Sequence, residues 1–190
     1  FESDESNGKV SIKDLFGGNT DIAAKSILTI EQIAHVVCRG GWPASVISEK
    51  QSPRMAMNYV DAVINSDIHS VDGVEKDPER VRLLLQSLAR NISTQATSKT
   101  IMDDMQVNEV SITDKTLSSY LNALRRLFVV EDVPAWQPSL RSKTAIRTAN
   151  KRQFVDPSIA TAALRTNAAG ILRDFKTFGF LFESLCTRDL

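Results

Sequence analysis

The stretch from residue 113 to residue 128 constrains the fold most strongly, because it has the pattern of a single amphipathic helix. Its apolar residues recur at steps of three and four, which places them along one side of a helix. They are Leu117, Tyr120, Leu121, Leu124, Leu127 and Phe128. The opposite side carries Lys115, Ser118, Ser119, Asn122 and Arg125. We therefore expect a helix with one buried face and one polar face.

The elements around this helix indicate a winged helix-turn-helix. Two shorter helical patterns precede it, and a β-branched pair at 129–130 follows it directly. The sequence predicts a strand over residues 128–133, ended by Pro134, and a returning strand at 153–155. The polar stretch 137–151 between the two strands would then be the wing. In such a fold the last of the three helices can enter the major groove of DNA.

The predicted wing is basic. Its cations are Arg141, Lys143, Arg147, Lys151 and Arg152, and no acidic residue occurs between Ser139 and Val155. On a wing, such a run is a candidate patch for DNA phosphates. A solvated surface loop explains the same composition.

Three polar residues of the long helix are candidates for contact with base edges. Ser118, Asn122 and Arg125 share its exposed side and have side chains that can bond to bases. Double-stranded DNA is therefore the predicted partner. A plain surface helix, or a face covered by another domain, is the alternative.

Capping signals place the other helices. Thr29 and Gln32 form a capping box, and Ser98 is placed to cap a short helix. Asp77 and Asp156 each precede a proline, which pairs an N-cap acceptor with a residue suited to the first helical position. The sequence thus predicts a mainly α fold with a small β wing: a helical N-terminal segment, the winged helix-turn-helix and C-terminal helices.

The ends of the chain suggest a piece of a longer protein. The sequence begins at Phe1 without a methionine, and its last helical pattern is still apolar where it stops. That pattern contains Phe175, Phe178, Leu181, Phe182 and Leu185. We expect the predicted domains to be residues 1–75, 76–155 and 156–190.

Composition limits the function classes. The 190 residues carry 23 basic and 23 acidic side chains, so nucleic acid would have to bind through a local patch. The two cysteines, Cys38 and Cys186, match no zinc spacing and are expected to be reduced. The sequence has neither an apolar run of membrane-spanning length nor a signal peptide. A cytoplasmic location without membrane contact is the expectation.

The sequence offers little for catalysis. His35 and His69 have no nucleophile or ligand partner at a useful spacing, so we expect no metal site and no catalytic residue. It lacks a glycine-rich phosphate loop followed by Lys-Ser/Thr, so the chain alone is not expected to hydrolyse ATP or to hold a cofactor. Glu183, beside an apolar stripe, is either a site carboxylate or a residue on the wet side of its helix.

The turn at residues 40–43 has two interpretations. Gly40-Gly41-Trp42-Pro43 follows Arg39, and that arginine is a candidate phosphate-sensing cation near a nucleotide. The alternative is a helix stop with a buried tryptophan, because glycine readily adopts the left-handed conformation that follows a helix.

Several segments together resemble a prokaryotic group of AAA-type ATP-binding proteins that carry a C-terminal domain called DUF4143. The similar segments are residues 2–16, the run Cys38-Arg39-Gly40-Gly41-Trp42-Pro43, residues 116–124, the run Pro134-Ala135-Trp136, residues 151–157 and residues 179–183. The resemblance implies a parent protein that binds ATP and magnesium through an upstream ATPase domain. Residues 1–75 would end that core and its lid, and residues 156–190 would lead into a nuclease-like domain.

The resulting functional prediction is a non-catalytic module of an ATP-binding protein whose winged helix binds DNA. The alternative is a protein-interaction or intramolecular regulatory module that binds no nucleic acid.

Overall fold

A computed structural model gives the fold of residues 5–6, 8–21, 23–48, 52–106, 110–135 and 149–190. The described residues form a mainly helical protein with a small two-stranded antiparallel sheet, as predicted. Among them, no helix combines the length and the apolar character that crossing a membrane requires.

The elements follow one another with short connections. They are α1 (Ile12–Phe16), α2 (Ile30–Arg39), α3 (Pro43–Ile47), α4 (Ser52–Ala62), a π-helical turn (Val63–Asp67), α5 (Ile68–Ser70), α6 (Pro78–Arg90), α7 (Ser98–Gln106), α8 (Asp114–Arg126), β1 (Val130–Val133), β2 (Lys151–Phe154), α9 (Pro157–Ala163), α10 (Ala168–Ile171) and α11 (Phe175–Asp189).

Most predicted helix starts are confirmed by their hydrogen bonds. Thr29 and Gln32 form the reciprocal capping box of α2, and Asp77 and Asp156 cap α6 and α9 ahead of a proline. The start of α7 differs from the prediction. The hydroxyl of Thr97, not that of Ser98, accepts the backbone N–H of Thr100 at 3.2 Å.

The apolar core is continuous from α2 to α11, and α9 lies at its centre. Ile159 and Ala160 of α9 are fully buried, and this helix contacts α2, α4, α6 and α11. α9 is short and rich in small residues, with three alanines, one serine and one threonine, so four neighbouring helices can approach it closely. The stripe of α8 joins the same core through Leu117, Leu121 and Leu124.

The hairpin lies beside the end of α8. β1 and β2 pair in register from Val130 opposite Phe154 to Val133 opposite Lys151. Thr94, in the segment between α6 and α7, forms an isolated antiparallel bridge with Arg152. The edge of β2 is thus partly covered by the chain that precedes α7.

The predicted burial of Phe128 is wrong. α8 ends at Arg126, and Phe128 takes a left-handed conformation with φ of 55° and 76% of its surface exposed. The N–H groups of Phe128 and Val129 donate to the carbonyls of Arg125 and Leu124 at 3.0 and 2.9 Å, which closes the helix in a Schellman motif. Glycine usually occupies this position. Phe175 and Phe182, also predicted on an apolar stripe, are exposed as well.

Candidate functional site

The polar face of α8 is open to solvent. Lys115, Ser118, Asn122 and Arg126 are exposed on it, whereas the opposite face is buried in the core. The N-terminus of the helix is fixed by Thr113, whose hydroxyl accepts the N–H of Thr116 at 3.2 Å. A packed helix therefore presents short polar and basic side chains to the surroundings.

Arg125 forms a salt bridge with an acidic residue of the same chain. Its Nε and Nη2 donate to Oδ2 of Asp132 on β1 at 2.9 and 2.5 Å, and its Nη1 donates to Oδ1 of Asn122 at 3.0 Å. Arg152 on β2 donates to the other carboxylate oxygen of Asp132 at 3.1 Å. This Arg125–Asp132–Arg152 clamp joins α8 to both strands, so it sets the position of the helix relative to the hairpin.

Of the other predicted basic residues, Lys151 forms an exposed ion pair and three lie outside the described part of the chain. Lys151 pairs with Glu183 of α11 at 2.5 Å, with both side chains substantially exposed. Exposed pairs of this kind contribute about 0–1 kcal/mol, so Lys151 can exchange its partner at little cost. Arg141, Lys143 and Arg147 lie outside the described residues. The predicted phosphate patch of the wing thus remains a prediction.

An acidic residue borders the polar face of α8. Asp72, on the turn after α5, lines a shallow groove with Lys115, Asn122 and Arg126. Its carboxylate accepts from the Nζ of Lys76 at 2.5 Å, and that hydrogen bond is the main cause of its lowered pKa. Asp72 therefore stays charged and reduces the positive potential of the groove.

Sequence reasoning overlooked Lys115 and Arg126 as site residues. The two belong to a stripe at positions 115, 119, 122 and 126, which follows the same three-four spacing as the apolar side. That spacing was the available signal. The three residues that were chosen do lie together, but Arg125 is turned toward β1.

The turn at residues 40–43 is structural. The N–H of Gly41 donates to Asp156 at 2.8 Å, and the indole N–H of Trp42 donates to the hydroxyl of Ser158 at 2.8 Å. Arg188 of α11 binds the same Asp156 oxygen at 2.8 Å. A Cβ at Gly40, where φ is 73°, would lie 2.4 Å from the Ser158 hydroxyl. This network fastens α2 to α9 and α11.

Arg39, the predicted phosphate sensor, is paired with an acid. Its two terminal nitrogens lie 2.7 and 3.1 Å from the carboxylate oxygens of Glu5, and its Nε donates to the carbonyl of Gly40. Among the described residues, no group of three or more His, Cys, Asp and Glu side chains could hold a metal ion.

A cavity of about 680 Å³ lies between α2, α4, α6 and α9, and Arg39 is its one lining residue that the sequence had indicated as a site residue. Apolar atoms form most of its wall, and Ala56, Val60, Ile64, Leu85 and Ala163 are among the lining residues. Its polar lining residues are His35, Cys38, Arg39, Asp61, Arg82, Ser158, Thr161, Arg165, Thr166 and Asn167. Ligand sites in proteins have this size and this apolar lining with a few polar groups.

Two side chains define the chemistry of the cavity. Arg165 follows α9 in the left-handed conformation with φ of 52°, in a second Schellman motif closed by the N–H groups of Arg165 and Thr166. Burial raises the pKa of the Cys38 thiol to about 11, although a hydrogen bond from Thr161 opposes this. The thiol is therefore protonated near neutral pH and is not a nucleophile.

The fold and the site define a mainly helical protein with an antiparallel hairpin, an exposed polar helix and an apolar cavity. The family model for a domain of unknown function, DUF8612, matches residues 30–170, and the chain belongs to this family. The expected membership of the AAA-type ATP-binding proteins with a DUF4143 domain is therefore wrong. The ATP, magnesium and upstream ATPase domain inferred from that resemblance lose their support. No curated protein and no solved structure matches the sequence.

Proposed function

We propose that residues 78–154 form a winged helix-turn-helix that binds duplex DNA through the exposed face of α8. The order of α6, α7, α8 and the hairpin supports this, and so does the bridge between Thr94 and Arg152, which adds a short strand segment ahead of α7. The observation that carries the proposal is the uncovered polar face of α8, which stands on a helix firmly packed on its other side.

Each exposed side chain has a specific part in the proposed contact. Asn122 can bond to an adenine edge with both its amide oxygen and its amide nitrogen once the Arg125 guanidinium releases the oxygen. Lys115 and Arg126 lie near the two ends of α8 and can reach phosphates on either side of a groove. The Arg125–Asp132–Arg152 clamp holds α8 and the two strands in one arrangement, so the strands would follow the helix onto the duplex.

The electrostatics favour a weakly salt-dependent complex. Arg125, Arg152 and Lys151 each have an acidic partner in the chain. The predicted DNA-contacting cations that the structure describes are thus all paired with an acidic side chain, which limits how many counterions of DNA they displace. The logarithm of affinity falls with the logarithm of salt by about 0.9 for each phosphate neutralised. We therefore expect a slope well below that of strongly basic DNA-binding proteins, with most of it coming from Lys115, Arg126 and the wing.

The test is binding of the whole chain to a fluorescent DNA duplex of mixed sequence, followed by fluorescence anisotropy. The salt concentration is varied from about 50 to about 200 mM, because the loss of phosphate contacts changes the affinity measurably over this range. Replacing Lys115 and Arg126 by alanine should weaken binding and reduce the salt slope by about two. The double replacement of Arg173 and Lys176, which are exposed elsewhere, removes the same charge and serves as the control. Equal slopes for the two double variants would remove α8 from the interface.

A protein-interaction module is the second candidate, and Phe128 favours it. This large apolar side chain is exposed at the end of α8 in a strained backbone conformation. A protein partner that buries an aromatic ring gains from such a residue, whereas a DNA backbone does not. In this case the parent chain would give no anisotropy change with DNA at the lowest salt, and Phe128→Ala would be the variant that loses the protein partner.

A further inference from the structure

We infer that the cavity between α2, α4, α6 and α9 is a binding site for an organic anion with an apolar body. The site is separate from the polar face of α8 and does not depend on DNA binding. The cavity is partly open to solvent, and its volume of about 680 Å³ falls in the middle of the range of about 300–1,000 Å³ found for sites of small molecules.

The walls select an apolar ligand body. Ala56, Val60, Ile64 and Leu85 are buried core residues, yet their side chains also line the cavity. Alanines at 162 and 163 keep the α9 side of the space open, because a larger residue there would extend into it. Water against such walls has few hydrogen-bond partners, so an apolar group that displaces it gains free energy.

The charged groups at the rim select an anion. Arg165 has no ion pair within the described part of the chain, and Arg82 reaches Glu79 only at 3.8 Å. Arg39 is satisfied by Glu5, so it adds no unpaired charge. Asp61 is the one acidic side chain in the lining. Arg165 and Arg82 therefore leave the rim electropositive, and their planar guanidinium groups match the geometry of a carboxylate or a sulfonate.

The backbone at Arg165 supports a role for its side chain. A residue with a Cβ is strained at φ of 52°, and the Schellman motif at this position is most stable with glycine. The side chain of Arg165 is exposed and so returns little packing energy. A guanidinium that binds a ligand accounts for an arginine where the fold alone favours glycine. The protonated Cys38 thiol makes the expected binding reversible and non-covalent.

The probe is 8-anilinonaphthalene-1-sulfonate, an aromatic anion whose fluorescence rises in apolar surroundings, and the competitors are decanoate and the uncharged decanol. The parent chain should bind the probe saturably with one site per chain. Decanoate should displace it about tenfold more effectively than decanol, since only the carboxylate can use the guanidinium groups. Absence of saturable binding, or equal competition by acid and alcohol, would overturn the inference.

Arg165→Gly separates binding from folding. It removes the guanidinium and relieves the backbone strain, so the variant should be at least as stable as the parent while its affinity for decanoate falls about tenfold. Phe128→Gly makes the same backbone change at a residue outside the cavity lining, and Arg173→Ala removes one exposed arginine that is also outside it. Both controls should keep the parent affinity. Parent-like decanoate affinity in Arg165→Gly would refute the assignment, as would an equal loss in the controls.

Discussion

At residue 128 a glycine should stabilise the protein more than an alanine does, whereas inside a helix alanine is the more stabilising of the two. Phe128 is left-handed, with φ of 55°, and both hydrogen bonds of its Schellman motif are made by backbone atoms that survive any substitution. Truncation to alanine keeps the strained Cβ. Truncation to glycine removes it. The comparison of Phe128→Ala with Phe128→Gly therefore isolates the cost of a Cβ in this conformation.

The magnitudes follow from exposure and backbone conformation. A fully buried Phe side chain is worth about 1.5–3 kcal/mol, and with 76% of the residue exposed Phe128→Ala should cost about 0.5 kcal/mol. A Cβ where φ is positive costs about 1 kcal/mol net of the greater freedom of glycine in the unfolded chain. Phe128→Gly should accordingly be about 0.5 kcal/mol more stable than the parent and about 1 kcal/mol more stable than Phe128→Ala.

Urea unfolding followed by circular dichroism measures these differences, and thermal unfolding should separate the two variants by about 2–4 °C for a chain of this size. Asn58, exposed in the middle of α4, provides the control pair. At position 58 the alanine variant should be about 1 kcal/mol more stable than the glycine variant, as in any helix interior. If Phe128→Ala is as stable as Phe128→Gly or more stable, the backbone at residue 128 is not left-handed in solution.

Three further outcomes test the rest of the structure. Gly40→Ala should lower stability by about 2–4 kcal/mol in thermal unfolding, since the new Cβ meets the α9 network at a positive φ, while Gly179→Ala, with open space around its Cβ position, should not destabilise. Alkylation of Cys38 by iodoacetamide should rise with pH around an apparent pKa of about 11, and only a reaction profile centred well below this would contradict the burial of the thiol. Asp132→Ala, which leaves two partly buried arginines unpaired, should cost about 3 kcal/mol, whereas Lys151→Ala should cost less than about 1 kcal/mol in the same urea assay.

Local signals explain which elements the sequence could predict. A helix cap acts over two or three residues, so the starts of α2, α6 and α9 follow from Thr29, Asp77 and Asp156 alone. The end of α8 could not be found this way, because the apolar spacing runs through Phe128 and no glycine marks the stop. The resemblance to a different family failed for a related reason. Its motifs are short, and capping residues and helical stripes recur in many unrelated helical proteins.

The candidate sites were only partly predictable, because they depend on contacts between distant parts of the chain. The exposed face of α8 follows from periodicity. The pairing of Arg125 with Asp132 does not, since nothing local distinguishes it from a free arginine. The bond between Trp42 and Ser158 spans 116 residues, and it is the kind of contact that turns a glycine-rich turn into a structural junction. The cavity arises where α2, α4 and α6 meet around α9, so no single stretch of sequence carries its signature.

Three residues with a positive φ show which backbone conformations are explained by packing and which are not. At Gly40 the surrounding atoms forbid a side chain, so the glycine is explained by packing alone. Phe128 and Arg165 also have a positive φ at helix ends where glycine would fit, and neither side chain is buried enough to compensate for the strain. Positions where a sequence departs from local preference without a compensating contact concentrate at functional sites. Phe128 stands at the end of α8, where a protein partner is the second candidate, and Arg165 lines the cavity, so each departure lies at a surface for which binding is proposed.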